Sequence, residues 1–191
     1  MNLTSKTSSR RSGFTLVEMI GVLAVIAILS GLLIPRVFSA ITSSKINTTA
    51  MGYNSLKSAS AQYIGKNSAF PGTNATFHTA LINGGFIEGP LSAPIADATD
   101  VFVKTATVGS SGTPVFDLTG TGSALPAGAV VVYAQLDNVA LSDAVALNEV
   151  IDGKSAAFGP DTLGGADAKG RVSYGAPVGG KVSVLLYVAN Q

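Results

Sequence analysis

The chain contains no cysteine, no tryptophan and a single histidine, His78. Without cysteine, no disulfide closes the fold and no thiolate serves as nucleophile, so packing or a bound ion must hold it. With one histidine, a metal site or triad built on several histidines is excluded, and His78 itself reads as an exposed residue on a short helix. Charge is scarce as well: 12% of residues are Asp, Glu, Lys or Arg, and the formal net charge is +1. That balance gives no global pull towards nucleic acid, and no specific nucleic-acid partner is expected. The Gly120-Thr121-Gly122 stretch lacks the strand–helix context of a nucleotide fingerprint, and no paired-carboxylate pattern stands out. The chain therefore reads as something other than an enzyme.

What it has in excess is apolar sequence, 47% of its residues. Residues 14–34 form a run of 21 in which only Thr15, Glu18 and Ser30 are polar. As a helix, that run spans roughly 30 Å, the thickness of a bilayer's hydrocarbon core. Ahead of it lies a Ser-rich leader with Lys6, Arg10 and Arg11 and no acid, ending Arg11-Ser12-Gly13. Glu18 is the one carboxylate in the run, four residues past Phe14. Pro35 closes the run.

This combination resembles the N-terminus of type IV prepilins and of the pseudopilins of type II secretion. The residues that carry the resemblance are Gly13, Phe14, Glu18, the apolar run and Pro35, so it covers about residues 10–40. It implies cleavage after the leader 1–13 by a prepilin peptidase, which also N-methylates the new N-terminal Phe14. It implies that Glu18 neutralises the Phe14 amine of a neighbouring subunit during assembly. It implies a homo-oligomeric helical filament, built by an inner-membrane assembly platform and its ATPase. Without the leader, nine basic residues remain against eleven acidic ones. The leader's cations are topological, keeping it cytoplasmic while the C-terminal bulk is exported. An ordinary secretory signal has a shorter apolar region, about 7–15 residues, and is cut after it rather than before it.

Four segments follow from the pattern: the leader 1–13, a transmembrane or filament-core helix 14–35, its amphipathic continuation 36–65, and a β-rich C-terminal domain 66–191. Pro35 removes a backbone donor opposite the Gly31 carbonyl, so a kink is expected at Gly31 and Pro35. In the continuation, Val37, Phe38, Ile41, Ala50 or Met51, Tyr53, Leu56, Ser60 and Tyr63 or Ile64 recur at helical spacing, with a weak spot at Thr48-Thr49. Gly65 is the expected stop. A short helix is expected over 76–82, with Phe86, Ile87 and Leu91 anchoring the turns after it. Strands are expected over 101–108, 115–118, 129–136, 172–174 and 182–188, and a helix over 143–151 capped by Ser142. Helix followed by strands predicts an α+β fold, a long helix whose amphipathic half packs on a small, mainly antiparallel sheet while its apolar half projects. The ladle shape of pilins agrees.

Asp152, Asp161 and Asp167 lie in or beside a Gly-rich loop, where several oxygen ligands suit Ca²⁺. Their spacing matches no defined calcium motif, though major pseudopilins resemble this in holding calcium in a C-terminal loop. The functional expectation is a structural filament subunit, inserted in a bacterial inner membrane and later found on a pilus. The alternatives are a pseudopilin forming a periplasmic pseudopilus and, more remotely, a membrane-anchored periplasmic binding module that never polymerises.

Overall fold

The structure is a computed structural model, and it describes residues 13–70, 76–97, 101–109, 115–120, 125–154 and 167–190. Two units emerge, Met1–Ile41 and Thr42–Gln191. Helix α1 (Leu16–Asn67) contains Pro35 within its span and runs past Gly65, the expected stop. Glycine costs a helix interior only about 1 kcal/mol, which neighbouring packing readily offsets.

In the first unit, α1 leaves its apolar side chains uncovered: Leu16, Val17, Leu23, Ile28, Leu32 and Phe38 are all exposed. The buried stripe of α1 begins later than the periodicity suggested. Val37, Phe38 and Ile41 are exposed, and burial starts at Ile46.

In the second unit, Ile46, Thr49, Ala50, Tyr53, Leu56, Ala59 and Ser60 form the buried stripe of α1. The spacing of three and four puts these residues on one face of the helix. Ala50 takes the inward place and Met51 is exposed. Thr49, which the sequence marks as a weak point, is fully buried with its hydroxyl donating to the Lys45 carbonyl, and Ser60 donates likewise to Leu56. Back-bonding to the preceding turn is how a helix buries a hydroxyl without leaving it unpaired. Gly52 is required for a different reason. A Cβ there would lie 2.7 Å from the Ser92 carbonyl oxygen, because the 91–92 backbone crosses the helix at that point.

The sheet has four strands, β1 (Val101–Thr107), β2 (Val130–Ala140), β3 (Val172–Tyr174) and β4 (Lys181–Asn190), in the order β1-β2-β4-β3. Every pairing is antiparallel, with Val103 opposite Ala134, Ala134 opposite Leu186 and Leu186 opposite Val172. With helix α1, this is the expected α+β arrangement. Helix α2 spans Phe77–Asn83 and α3 spans Leu141–Ile151. One sheet face joins Tyr53, Leu56, Phe77, Leu81, Leu147 and Leu186 in the main core. Phe86, Ile87 and Leu91 pack on that core, as their sequence setting predicts.

Two local expectations need correction. Residues 115–118 do not form a strand; only Asp117 bridges to Lys169, in parallel. Phe116 turns inward instead, its ring 5.7 Å from Tyr187 and 6.3 Å from Tyr133. That covers the second face of the sheet, which is why Val131 to Ala134 are buried on both sides. Ser142 does not cap α3. Strand β2 runs straight into the helix, so Ala140 occupies the cap position and Leu141 N–H donates to Gly180.

Candidate functional site

The candidate site is the start of α1. Gly13 and Phe14 precede the helix and are exposed, Phe14 at 80% of its surface. A Cβ on Gly13 would meet nothing within 4 Å among the described residues. Thr15 holds the cap position. Its carbonyl accepts the first intrahelical bond from Met19, and its hydroxyl accepts from the Glu18 amide at 3.2 Å. Glu18 returns the contact, its Oε2 accepting from the Thr15 amide at 2.8 Å and from the Thr15 hydroxyl at 2.9 Å. This reciprocal arrangement is a capping box, which satisfies backbone donors that a helix start would otherwise leave open. The carboxylate also faces the positive end of the helix dipole. Its other oxygen, Oε1, accepts no bond among the described residues.

From the helix start, α1 continues into a segment long and apolar enough to cross a membrane, judged by length and composition. Residues 8–34, which hold the leader's arginines, Gly13, Phe14, Glu18 and the apolar run, match the family model of the prokaryotic N-terminal methylation motif. This is the prepilin-type signature of type IV pilins and pseudopilins. The whole chain matched none of the curated proteins and none of the solved structures with which it was compared.

The prepilin motif belongs to a structural family rather than an enzyme family, and it makes the chain pilin- or pseudopilin-like at its N-terminus. It implies processing by a prepilin peptidase and assembly into pilin-type filaments. Gly13, Phe14, Glu18 and Gly31 fall within the matched residues, whereas Pro35 lies one residue beyond them. Gly31 and Pro35 both lie inside α1, and nothing lies within 4 Å of a Cβ built on Gly31.

Beyond the prepilin motif, two of the three acids considered for calcium, Asp152 and Asp167, have hydrogen-bond partners among the described residues. Asp152 follows α3 and is nearly buried, its side chain 2% exposed. Its Oδ2 accepts from the amides of Arg171 (2.7 Å) and Val172 (2.9 Å), and its Oδ1 from Arg171 Nε at 2.9 Å. The guanidinium also donates through Nη2 to the Ile151 carbonyl. A cation at Asp152 would have to displace a guanidinium and two amides. Asp167 accepts from the Asn148 side-chain amide at 2.6 Å and from the Lys169 amide at 2.9 Å. Asp161 lies outside the described residues. Among the described residues, no group of three or more His, Cys, Asp or Glu side chains is placed to hold a metal.

His78 is not the exposed residue its short helix suggested. It is half-buried, in a cavity of about 240 Å³ lined by Pro90, Leu91, Ser92, Ala93, Pro94 and Ala96. Its Nε2 is buried without a hydrogen-bond partner among the described residues, and burial holds its pKa below the ordinary value. The cover comes from residues 90–96 folding over α2, a contact that local sequence does not announce.

Three residues of consequence escaped the sequence reading. Thr15 was legible, because Thr-x-x-Glu ahead of an apolar run is a capping-box signature. Arg171 and Asn148 carry no local signal. Their partners lie 19 residues away in the chain.

Proposed function

We propose that this chain is the structural subunit of a type IV pilus-like filament. Residues 14–34 hold the precursor in the inner membrane, leader inside and C-terminal unit in the periplasm. The prepilin peptidase cuts between Gly13 and Phe14 and methylates the new amine. An assembly platform and its ATPase then draw subunits into a helical fibre whose core is made of these apolar helices. Moving a helix from lipid into a helix bundle changes its hydrophobic environment little, so packing and polar pairing decide the register.

The observation that carries this reading is the prepilin motif seated on an exposed helix start, with Glu18 fixed there by Thr15. The capping box orients the carboxylate and leaves Oε1 to accept the methylated amine of the next subunit. Paired in an apolar core, these charges specify axial register more than they add stability. The Gly31 and Pro35 positions supply a helix segment able to lose helicity as the fibre forms.

A periplasmic pseudopilus is the second reading, since the same motif serves pseudopilins. The test is electron microscopy and mass spectrometry of sheared surface fibres. Fibres containing this chain with N-methylated Phe14 at its start support the pilus subunit. Methylated protein confined to the periplasmic side, with a defect in protein secretion when the gene is deleted, supports the pseudopilin. Unprocessed chain that never enters a fibre of either kind overturns both readings and leaves the non-polymerising binding module.

A further inference from the structure

The second unit contains a cavity of about 250 Å³ lined by Lys57, Leu118, Asp152, Gly170, Arg171 and Tyr187. Two cations and one carboxylate line it. The carboxylate is already spent. Both oxygens of Asp152 accept bonds from Arg171 and from the amides of residues 171 and 172. Arg171 uses Nε and Nη2 in that arrangement and has no bond at Nη1 among the described residues. Lys57 has no hydrogen bond and no ion pair among the described residues.

The walls of the cavity are fixed from several directions. One turn before Lys57, the Tyr53 hydroxyl donates to the Tyr187 carbonyl, tying α1 to β4. The Tyr187 amide donates to the Arg171 carbonyl at 2.8 Å, tying β4 to the segment before β3. Gly170 completes the cradle. Its φ is +76°, and a Cβ there would lie 2.5 Å from Asp152 Oδ2, so only glycine lets the carboxylate sit against the residue 171 amide. The result is a recess with a surplus positive charge and unused donors on both an ammonium and a guanidinium. Partly enclosed charges are ordinarily paired, and a guanidinium edge beside an ammonium matches the oxygens of phosphate or carboxylate.

We propose that this recess is a binding site for a small oxyanion, held between the Lys57 ammonium and the Arg171 guanidinium. Asp152 acts as the positioning residue for Arg171 and does not contact the ligand. Site and filament assembly are separate properties, since none of these residues belongs to the prepilin motif.

Inorganic phosphate is the probe. The full chain in detergent micelles is melted at rising phosphate concentration, with ionic strength held constant by sodium chloride. A ligand that binds only the folded state raises Tm in proportion to the logarithm of its occupancy term. The expected result is a phosphate-dependent rise in Tm that is lost in Lys57→Gln and kept in Lys57→Arg. Because Lys57 makes no hydrogen bond or ion pair among the described residues, Lys57→Gln should fold and melt like the parent without phosphate. A parallel titration with sodium acetate ranks the two oxyanion types. A larger rise with phosphate assigns a tetrahedral ligand, and a larger rise with acetate assigns a carboxylate. No rise with either anion, or an equal rise in Lys57→Gln, overturns the proposal.

Discussion

Glu18 and Thr15 hold each other at the start of α1, the carboxylate accepting from the threonine amide at 2.8 Å and hydroxyl at 2.9 Å. The one carboxylate of the apolar run is therefore oriented by contacts within its own chain. Charge and geometry at this point can be separated by substitution. Glu18→Gln keeps an oxygen able to accept the Thr15 amide but has no charge. Thr15→Val keeps the charge but loses the hydroxyl. Glu18→Gln and Glu18→Ala should both leave the subunit in the membrane while abolishing fibres. Thr15→Val should shorten fibres or reduce their number without abolishing them. Counting fibres in sheared fractions by electron microscopy checks all three, and wild-type fibre length in Glu18→Ala would sink the assembly role.

The proposed processing should depend on an unhindered backbone at Gly13. A bulky residue such as Gly13→Leu should leave full-length precursor in the membrane, because the scissile peptide bond then carries a side chain against the peptidase. An immunoblot that resolves the 13-residue leader reads this directly. Efficient cleavage of the variant would move the processing site elsewhere.

The Asp152–Arg171 pair should be the most costly polar contact to break in the second unit. Asp152→Ala strands a guanidinium and two amides, with an expected loss of about 3 kcal/mol. Gly170→Ala should cost about 2 kcal/mol, from positive-φ strain and displacement of the same carboxylate. The two losses should not add, because both act through one carboxylate. Denaturant melts of the single and double variants give the coupling. Strict additivity would mean that Gly170 serves some other contact.

Tyr53→Phe removes one buried hydroxyl and leaves the Tyr187 carbonyl without that donor. The expected loss is about 1 kcal/mol. Because the ring is retained, a loss several times larger would point to rearranged packing around α1.

His78 supplies a pH signature. Burial lowers its pKa in the folded chain, so the unfolded chain binds the proton first as pH falls. Its contribution to stability is complete above the ordinary histidine value of about 6.5. It is lost as pH falls from there towards the depressed folded value, and it levels off below that. Tm measured from about pH 8 to pH 5 should fall in the parent and stay flatter in His78→Gln, since no other side chain has an unperturbed pKa in that window. Equal slopes in both would exclude His78 as the cause.

How much of this was legible beforehand depends on the distance over which each feature is encoded. The capping box is local, four consecutive residues, and Thr15-Leu16-Val17-Glu18 spells it out. Strands β1, β2, β3 and β4 were marked by apolar and β-branched runs between glycines. Strand β3 has its expected bounds, whereas β2 runs on to Ala140 rather than residue 136 because it passes into α3 with no loop between them. Phe116 sits in a segment whose apolar residues suggested a strand, and only the open face beside Tyr133 and Tyr187 explains why it became a plug instead. The buried stripe of α1 starts at Ile46 rather than Val37 for a similar reason: periodicity specifies a face, but burial needs something to cover it.

The sequence by itself determined the prepilin-type signature at the N-terminus. Leader, Gly13, Phe14, Glu18 and an uninterrupted apolar run act through local chemistry and through the length of a helix, and both are written consecutively in the chain. Tertiary structure decided what the acids of the second unit do. Whether Asp152 meets a guanidinium or a metal, and whether Lys57 has a counter-ion, depends on segments far apart in sequence arriving at one place. Those choices are made by packing the sheet against α1, because the pairing energy of a buried charge exists only once both partners have left water.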